Sequence, residues 1–180
     1  MSRYRLNLFI APEHAKRLDE LAAKKGVSKS SIVAAALSQG HLVDSRTPMD
    51  VNLAKQLIIL IRDMGLSLDR IVMDPTTGAL GYGIEYGYSV MERLRLAALQ
   101  GDGMTQQPML VTPGEEAWRV KEAKVGTDVP AAWGDWAERA VQWETVTASA
   151  LVESGADVLV MRHPTAVKRI QGLVGKLMSN

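Results

Sequence analysis

The polar and apolar positions change period several times along the chain, and each change predicts an element. Residues 3–10 alternate, with Tyr4, Leu6, Leu8 and Ile10 on one face and Arg3, Arg5, Asn7 and Phe9 on the other, which predicts a strand. Pro12 then sits in the first turn of a helix, where a missing N–H costs nothing. Ala15, Leu18, Leu21 and Ala22 form its apolar stripe and Gly26 ends it. Ser28 caps a second helix with Ile32, Val33, Ala36 and Leu37 on its stripe and Gly40 as its stop.

From His41 to Pro48 the pattern lapses, and this stretch reads as a linker with a domain boundary near residue 44. Beyond it the period switches repeatedly. Helices are predicted over 51–64 (capped by Asp50), from the glycine-rich loop to about Gln100, from 115, over 135–153 and over 164–177. Short apolar runs at 70–74, 108–112 and 157–161 predict three buried strands between them. Such alternation indicates a parallel sheet covered by helices, with two edges left open.

Charge divides the chain in the same place. Residues 1–43 carry seven Lys/Arg against three Asp/Glu, a net +4, while residues 44–180 carry fourteen against seventeen, a net −3. A polyanion would meet the N-terminal segment. One strand and two helices in about 40 residues bury too little apolar surface to fold alone. Two copies pairing their strands would share a four-helix core and show Arg5, Asn7 and Phe9 on a ribbon that fits the major groove. Ser28, Lys29 and Ser30 at the second helix's start suit a DNA phosphate. Residues 3–40 resemble the ribbon-helix-helix family of bacterial repressors and plasmid regulators, through Arg5 to Ile10, Leu18, Leu21, Ala22 and the turn Gly26 to Ser31. The resemblance implies a homodimer that reads double-stranded DNA.

The chemistry of the remainder centres on Asp74-Pro-Thr-Thr-Gly, where a buried strand opens into a glycine-rich loop. Ligands of parallel α/β folds sit at the carboxyl ends of strands, where Asp74, Thr76, Thr77 and Gly78 fall. Neither a P-loop nor a dinucleotide glycine pattern is present. Arg162, at another strand end, is placed to face an anion, whereas His163 reads more readily as structural. Trp118, Trp133, Trp136 and Trp143 read as packing. There is no cysteine and only three histidines, which leaves no metal-site spacing, and no carboxylate pair has a spacing that argues for acid–base catalysis. No apolar run approaches the roughly 18 residues of a membrane span, so a cytoplasmic protein is expected.

Asp50 to Leu57, Ile71 to Tyr86, Ser89 to Leu99, Glu116-Ala-Trp, Trp133-Gly-Asp, Trp143-Glu, Gly155-Ala-Asp and Arg162-His-Pro run in order. Through them residues 46–174 resemble the small (delta) subunit of the corrinoid iron–sulfur protein, from the carbon monoxide dehydrogenase/acetyl-CoA synthase system. That resemblance implies a TIM barrel holding a corrinoid (cobalamin) against a larger iron–sulfur partner during methyl transfer, with Asp74, Thr76, Thr77 and Gly78 as candidate contacts. A barrel has eight strands in roughly 250 residues; three predicted strands make only part of one. The expected fold class is therefore α/β, a dimeric ribbon-helix-helix module over 1–43 followed by a partial (β/α) barrel over 44–180. Because only the first module is complete in itself, the sequence points first to a DNA-binding regulator, not catalytic alone, fused to a truncated barrel segment. The alternative is a subunit or fragment of the corrinoid methyl-transfer complex, and a chimera without integrated function stays open as well.

Overall fold

The computed structural model describes residues 50–179 throughout, the backbone of Val43–Arg46, and the exposed helical residues Glu20, Ala23 and Lys24. Arg5, Asn7, Phe9, Ser28, Lys29 and Ser30, and with them the expected ribbon and its helices, lie outside the described residues. The chain divides after Leu42 into two units, and the second, Val43–Asn180, holds the elements that follow.

This unit is mixed α/β, rich in helix, with a small parallel sheet. Strand β1 (Val43–Arg46) pairs parallel with β2 (Ile71–Asp74) in the register Val43 to Ile71 through Arg46 to Asp74. The sequence reading of 41–48 as a linker is thus corrected, because Val-Asp-Ser-Arg lacks an alternating pattern yet pairs through its backbone, which any residue supplies. Between them runs α1 (Val51–Asp63), whose Ala54, Ile58 and Ile61 are buried. The Asp50 carboxylate caps it, accepting from the N–H of Asn52 (2.7 Å) and Leu53 (3.2 Å).

After β2 come α2 (Ile84–Leu99) and the short strand β3 (Leu110–Val111). A parallel bridge between Met73 and Met109, with the Met73 N–H donating to Pro108 O at 2.8 Å, joins β3 to β2. The helix expected from residue 115 is two short pieces, α3 (Pro113–Ala117) and α4 (Lys121–Lys124). The long α5 (Trp136–Glu153) follows, then β4 (Val158–Leu159), parallel to β3, and α6 (Pro164–Met178). Four strands therefore follow in chain order as two parallel pairs, β1 with β2 and β3 with β4, joined by the Met73–Met109 bridge, one strand more than the apolar runs predict.

The core is the inner face of this layer. Ile58, Ile71, Met73, Met91, Leu94, Met109, Val111 and Leu151 are essentially inaccessible to water. Burying each such side chain contributes about 1.5–3 kcal/mol against leaving it exposed. Three helices end alike, on Gly65, Gly101 and Gly155 at φ of 92°, 97° and 101°. In each, the glycine N–H and the next N–H turn back to carbonyls of the last turn, a Schellman stop that an L side chain would strain. Among the described residues no strand pairs with the far edge of β4, and Val158 and Val160 are exposed, as are Val174, Leu177 and Met178 on α6. Among the described residues no helix is long and apolar enough to cross a membrane.

Candidate functional site

The parallel strands bring their carboxyl ends, and the loops that follow, to one end of the sheet. The loop after β2 is built almost entirely from its own polar groups. Asp74 is 2% exposed, and its Oδ1 accepts from the Thr76 N–H at 2.8 Å. That bond holds Thr76 at φ +67°, a region that disfavours a β-branched residue. Thr77 is buried too, and its Oγ1 accepts from the Thr112 N–H at 2.8 Å, tying this loop to the end of β3. At Gly78 the chain doubles back so closely that a Cβ would lie 2.5 Å from the backbone carbonyl of Gly83. Gly87, one turn into α2, gives room below Thr76 O.

The structure therefore brings Asp74, Thr76, Thr77 and Gly78 together but gives them unequal roles. Asp74, Thr77 and Gly78 are buried and shape the loop, while Thr76 is only partly covered. What the loop and the start of α2 present to solvent is Leu80, Tyr82 and Tyr86, which are 37%, 50% and 61% exposed. The Tyr82 hydroxyl donates to Glu122 Oε2 at 2.8 Å. That bond, helped by partial burial and the carboxylate's charge, raises the phenol above its ordinary pKa.

A second constellation, which the sequence reading missed, joins the loops after β3 and β4. Glu144 on α5 is wholly buried. Its Oε1 accepts from the Arg162 N–H at 2.5 Å, and its Oε2 accepts from the His163 N–H at 3.1 Å and from the Trp118 indole N–H at 2.6 Å. A carboxylate out of water is tolerated only with such donors. The signal was in the sequence: Ala140, Val141, Glu144, Thr147, Ala148 and Leu151 fall on one buried helix stripe, so one carboxylate interrupts an otherwise inward face.

Trp118 is a platform. The His163 ring stacks beside it, with centroids 6.1 Å apart, and the Arg162 guanidinium lies 4.8 Å from its centre. His163 also caps α6, its Nδ1 accepting from the Thr165 N–H at 3.2 Å. That use fits its reading as structural. Gly114 permits the close contact of the two loops, since a Cβ there would lie 2.5 Å from Arg162 N. The other tryptophans pack: the Trp136 indole N–H donates to Ala123 O (2.7 Å) and that of Trp143 to Leu80 O (3.1 Å). Arg139 lies over Trp133, 5.3 Å from its ring centre, and donates to the carbonyls of Glu122, Trp133, Gly134 and Val125, stapling the 121–134 segment to α5.

Chemically these loops position surfaces. Among the described residues no group of three His, Cys, Asp or Glu side chains converges as a metal site. The buried acids are occupied by backbone and indole donors.

Comparison with known proteins agrees with the second of the two resemblances. A family profile described as the CO dehydrogenase/acetyl-CoA synthase delta subunit matches residues 14–173. The acetyl-CoA decarbonylase/synthase complex subunit delta of Methanopyrus kandleri is 46% identical over 137 residues, covering 76% of this chain and 33% of that protein. Subunit delta 1 of Methanosarcina thermophila is 38% identical over 163 residues, 88% of this chain and 37% of its own length. The delta subunit of Methanothermobacter thermautotrophicus is 42% identical over 140 residues, 78% of this chain and 35% of its own. The chain spans about a third of the length of these relatives.

These matches overturn the DNA-binding reading. The profile begins at residue 14, so it runs through the segment read as the two helices of a ribbon-helix-helix module. The relatives are named as subunits of an enzyme complex, not as regulators. A transcription regulator, double-stranded DNA as main partner and a dimer through an N-terminal ribbon are withdrawn together; Arg5, Asn7, Phe9, Ser28, Lys29 and Ser30, expected to make its base and phosphate contacts, lie outside the described residues. The physical reason is plain. Alternation and stripes predict local elements, whereas dimeric assembly on DNA is a further step that rested on a +4 charge and one turn motif.

Proposed function

The chain belongs to the CO dehydrogenase/acetyl-CoA synthase delta-subunit family, and on that premise we propose that it serves as a corrinoid-facing subunit segment of an acetyl-CoA decarbonylase/synthase type complex. It works there with protein partners, in the cytoplasm, and is not catalytic alone. One observation carries the reading: four parallel strands in chain order, with the carboxyl-end loops of the last three tied to one another. Thr77 links the first loop to the second (2.8 Å), and the Gly114 N–H to Val160 O (3.0 Å) links the second to the third. Sequential parallel strands, each followed by helix, are the arrangement of a (β/α) barrel arc, whose ligands sit on that end.

The residues present fit a flat, largely apolar macrocycle better than a small polar substrate. Leu80, Tyr82 and Tyr86, on the loop after Thr76 and the start of α2, offer exposed apolar and aromatic area. Asp74, Thr77 and Gly78 are buried and shape the loop, so their part is positioning rather than contact. When bound, the corrinoid supplies the cobalt centre that carries the methyl group. This chain's own residues would orient it and keep water from one of its faces. Calorimetric titration of the full chain with the large, corrinoid-bearing iron–sulfur subunit tests the proposal. Saturable binding is expected, weakened roughly tenfold by Tyr86→Glu, which puts a charge into the apolar surface. Binding unaffected by changes at Tyr86 and Leu80, or no binding at all, would overturn it.

A further inference from the structure

Between α3, α4 and the segment that leaves β4 lies a cleft of about 470 Å³. Its wall is apolar, made of Trp118, Val160 and Met161. Its charged lining is Arg119, Lys124 and Arg162, with Glu115. These cations are not equivalent. Arg119 is already answered by Glu115 (2.5 Å) and Glu116 (2.7 Å). Lys124 and Arg162 have no carboxylate partner among the described residues. Among the described residues, two positive charges thus stand at an apolar cleft without a paired carboxylate, the Glu115 carboxylate there being engaged by Arg119.

Arg162 is also held ready. Glu144 accepts both the Arg162 backbone N–H and the indole N–H of Trp118, the ring on which the guanidinium rests at 4.8 Å. One buried carboxylate therefore fixes the root of the arginine and the platform beneath its tip. A guanidinium lying over an aromatic ring keeps its N–H edge free for a planar, two-point contact with an oxyanion. Pre-ordering of this kind removes part of the entropy that a long side chain loses on binding.

We propose that this cleft binds an oxyanion, carboxylate or phosphate, carried on an apolar body, with Arg162 as its anchor, Lys124 as a second cation and Trp118 as the surface for the body. The inference stands on the cleft's own geometry and does not rest on the corrinoid reading.

The test uses the full chain and three small probes of one shape: 1-naphthyl phosphate, 1-naphthoate and uncharged 1-naphthol. Binding is followed by the nuclear magnetic resonance signal of the Trp118 indole N–H, assigned with Trp118→Phe. Both anions are expected to shift that signal saturably and to bind at least roughly tenfold more tightly than naphthol. The tighter of the two identifies the natural head group as phosphate or carboxylate. Arg162→Gln should weaken both anions roughly tenfold and leave naphthol unchanged, and Lys124→Gln should weaken them less. Arg162 lies on the surface, so an unchanged melting curve will show that its variant folds. Equal affinity for all three probes, or anion binding indifferent to Arg162→Gln, would overturn the proposal.

Discussion

At the scale of single residues, the most consequential side chain is one whose role is to hold others. Glu144 is fully buried and binds three N–H groups on two loops. Glu144→Gln replaces an acceptor oxygen with a donor facing those groups. A loss of about 1–3 kcal/mol in urea unfolding is expected, together with an upfield move of the Trp118 indole proton. A variant as stable as the parent would show that the carboxylate is not the latch. Gly78 poses a complementary case. A methyl group there meets the Gly83 carbonyl at 2.5 Å, so Gly78→Ala should cost about 1–3 kcal/mol through forced backbone shifts. Both residues were visible in the sequence, but not their tasks. A glycine in a loop has many possible reasons, and a glutamate on an inward stripe shows its partners only when the loops from other strands are in place.

At the scale of elements, most of the second unit was legible because period and capping agree. Asp50 caps α1 as its residue type predicts, and Gly65, Gly101 and Gly155 stop three helices at positive φ. The exceptions are instructive. Strand β1 carries no apolar alternation and exists through pairing with β2. The apolar runs at 108–112 and 157–161 yield strands of only two residues each, since only Leu110–Val111 and Val158–Leu159 remain in register. Links between elements also set pH windows. Asp102 is held below the usual carboxylate range, first by its hydrogen bond from Lys55 (2.5 Å) and also by the Met104 N–H. A lowered pKa stabilises the fold above the unfolded value, and that gain is lost as pH falls through the lowered one. The parent should therefore melt above Lys55→Met at neutral pH, with the gap closing as acid protonates Asp102. A gap independent of pH would contradict this link between α1 and the turn before β3. The raised pKa of Tyr82 works in the opposite direction. Its bond to Glu122 stabilises below the ordinary phenol range and is lost as pH rises through the raised value, so Tyr82→Phe should narrow the stability difference between neutral and alkaline solution.

At the scale of the whole molecule, the described residues of the second unit include an apolar surface. Val158, Val160, Val174, Leu177 and Met178 are exposed around β4 and α6. An apolar strand edge that no described strand pairs with favours association. Light scattering at high protein concentration should fall in a Val160→Lys, Leu177→Glu variant; unchanged scattering would place the association elsewhere. The whole-molecule scale is also where sequence patterns misled. The N-terminal stripes suggested an independent DNA-reading module, whereas one family profile spans residues 14–173. Patterns of period 2 and 3.6 describe what an element buries, not which chain or ligand it meets.

The central claim is that the chain is a partner in a corrinoid protein complex. Its most direct test is size-exclusion chromatography of the full chain mixed with the large corrinoid-bearing iron–sulfur subunit, with absorbance read at the corrinoid band. The account predicts that the chain moves to an earlier volume and co-elutes with the corrinoid. Separate elution of the two proteins, with the chain instead shifting a labelled DNA duplex in a salt-dependent way, would contradict it.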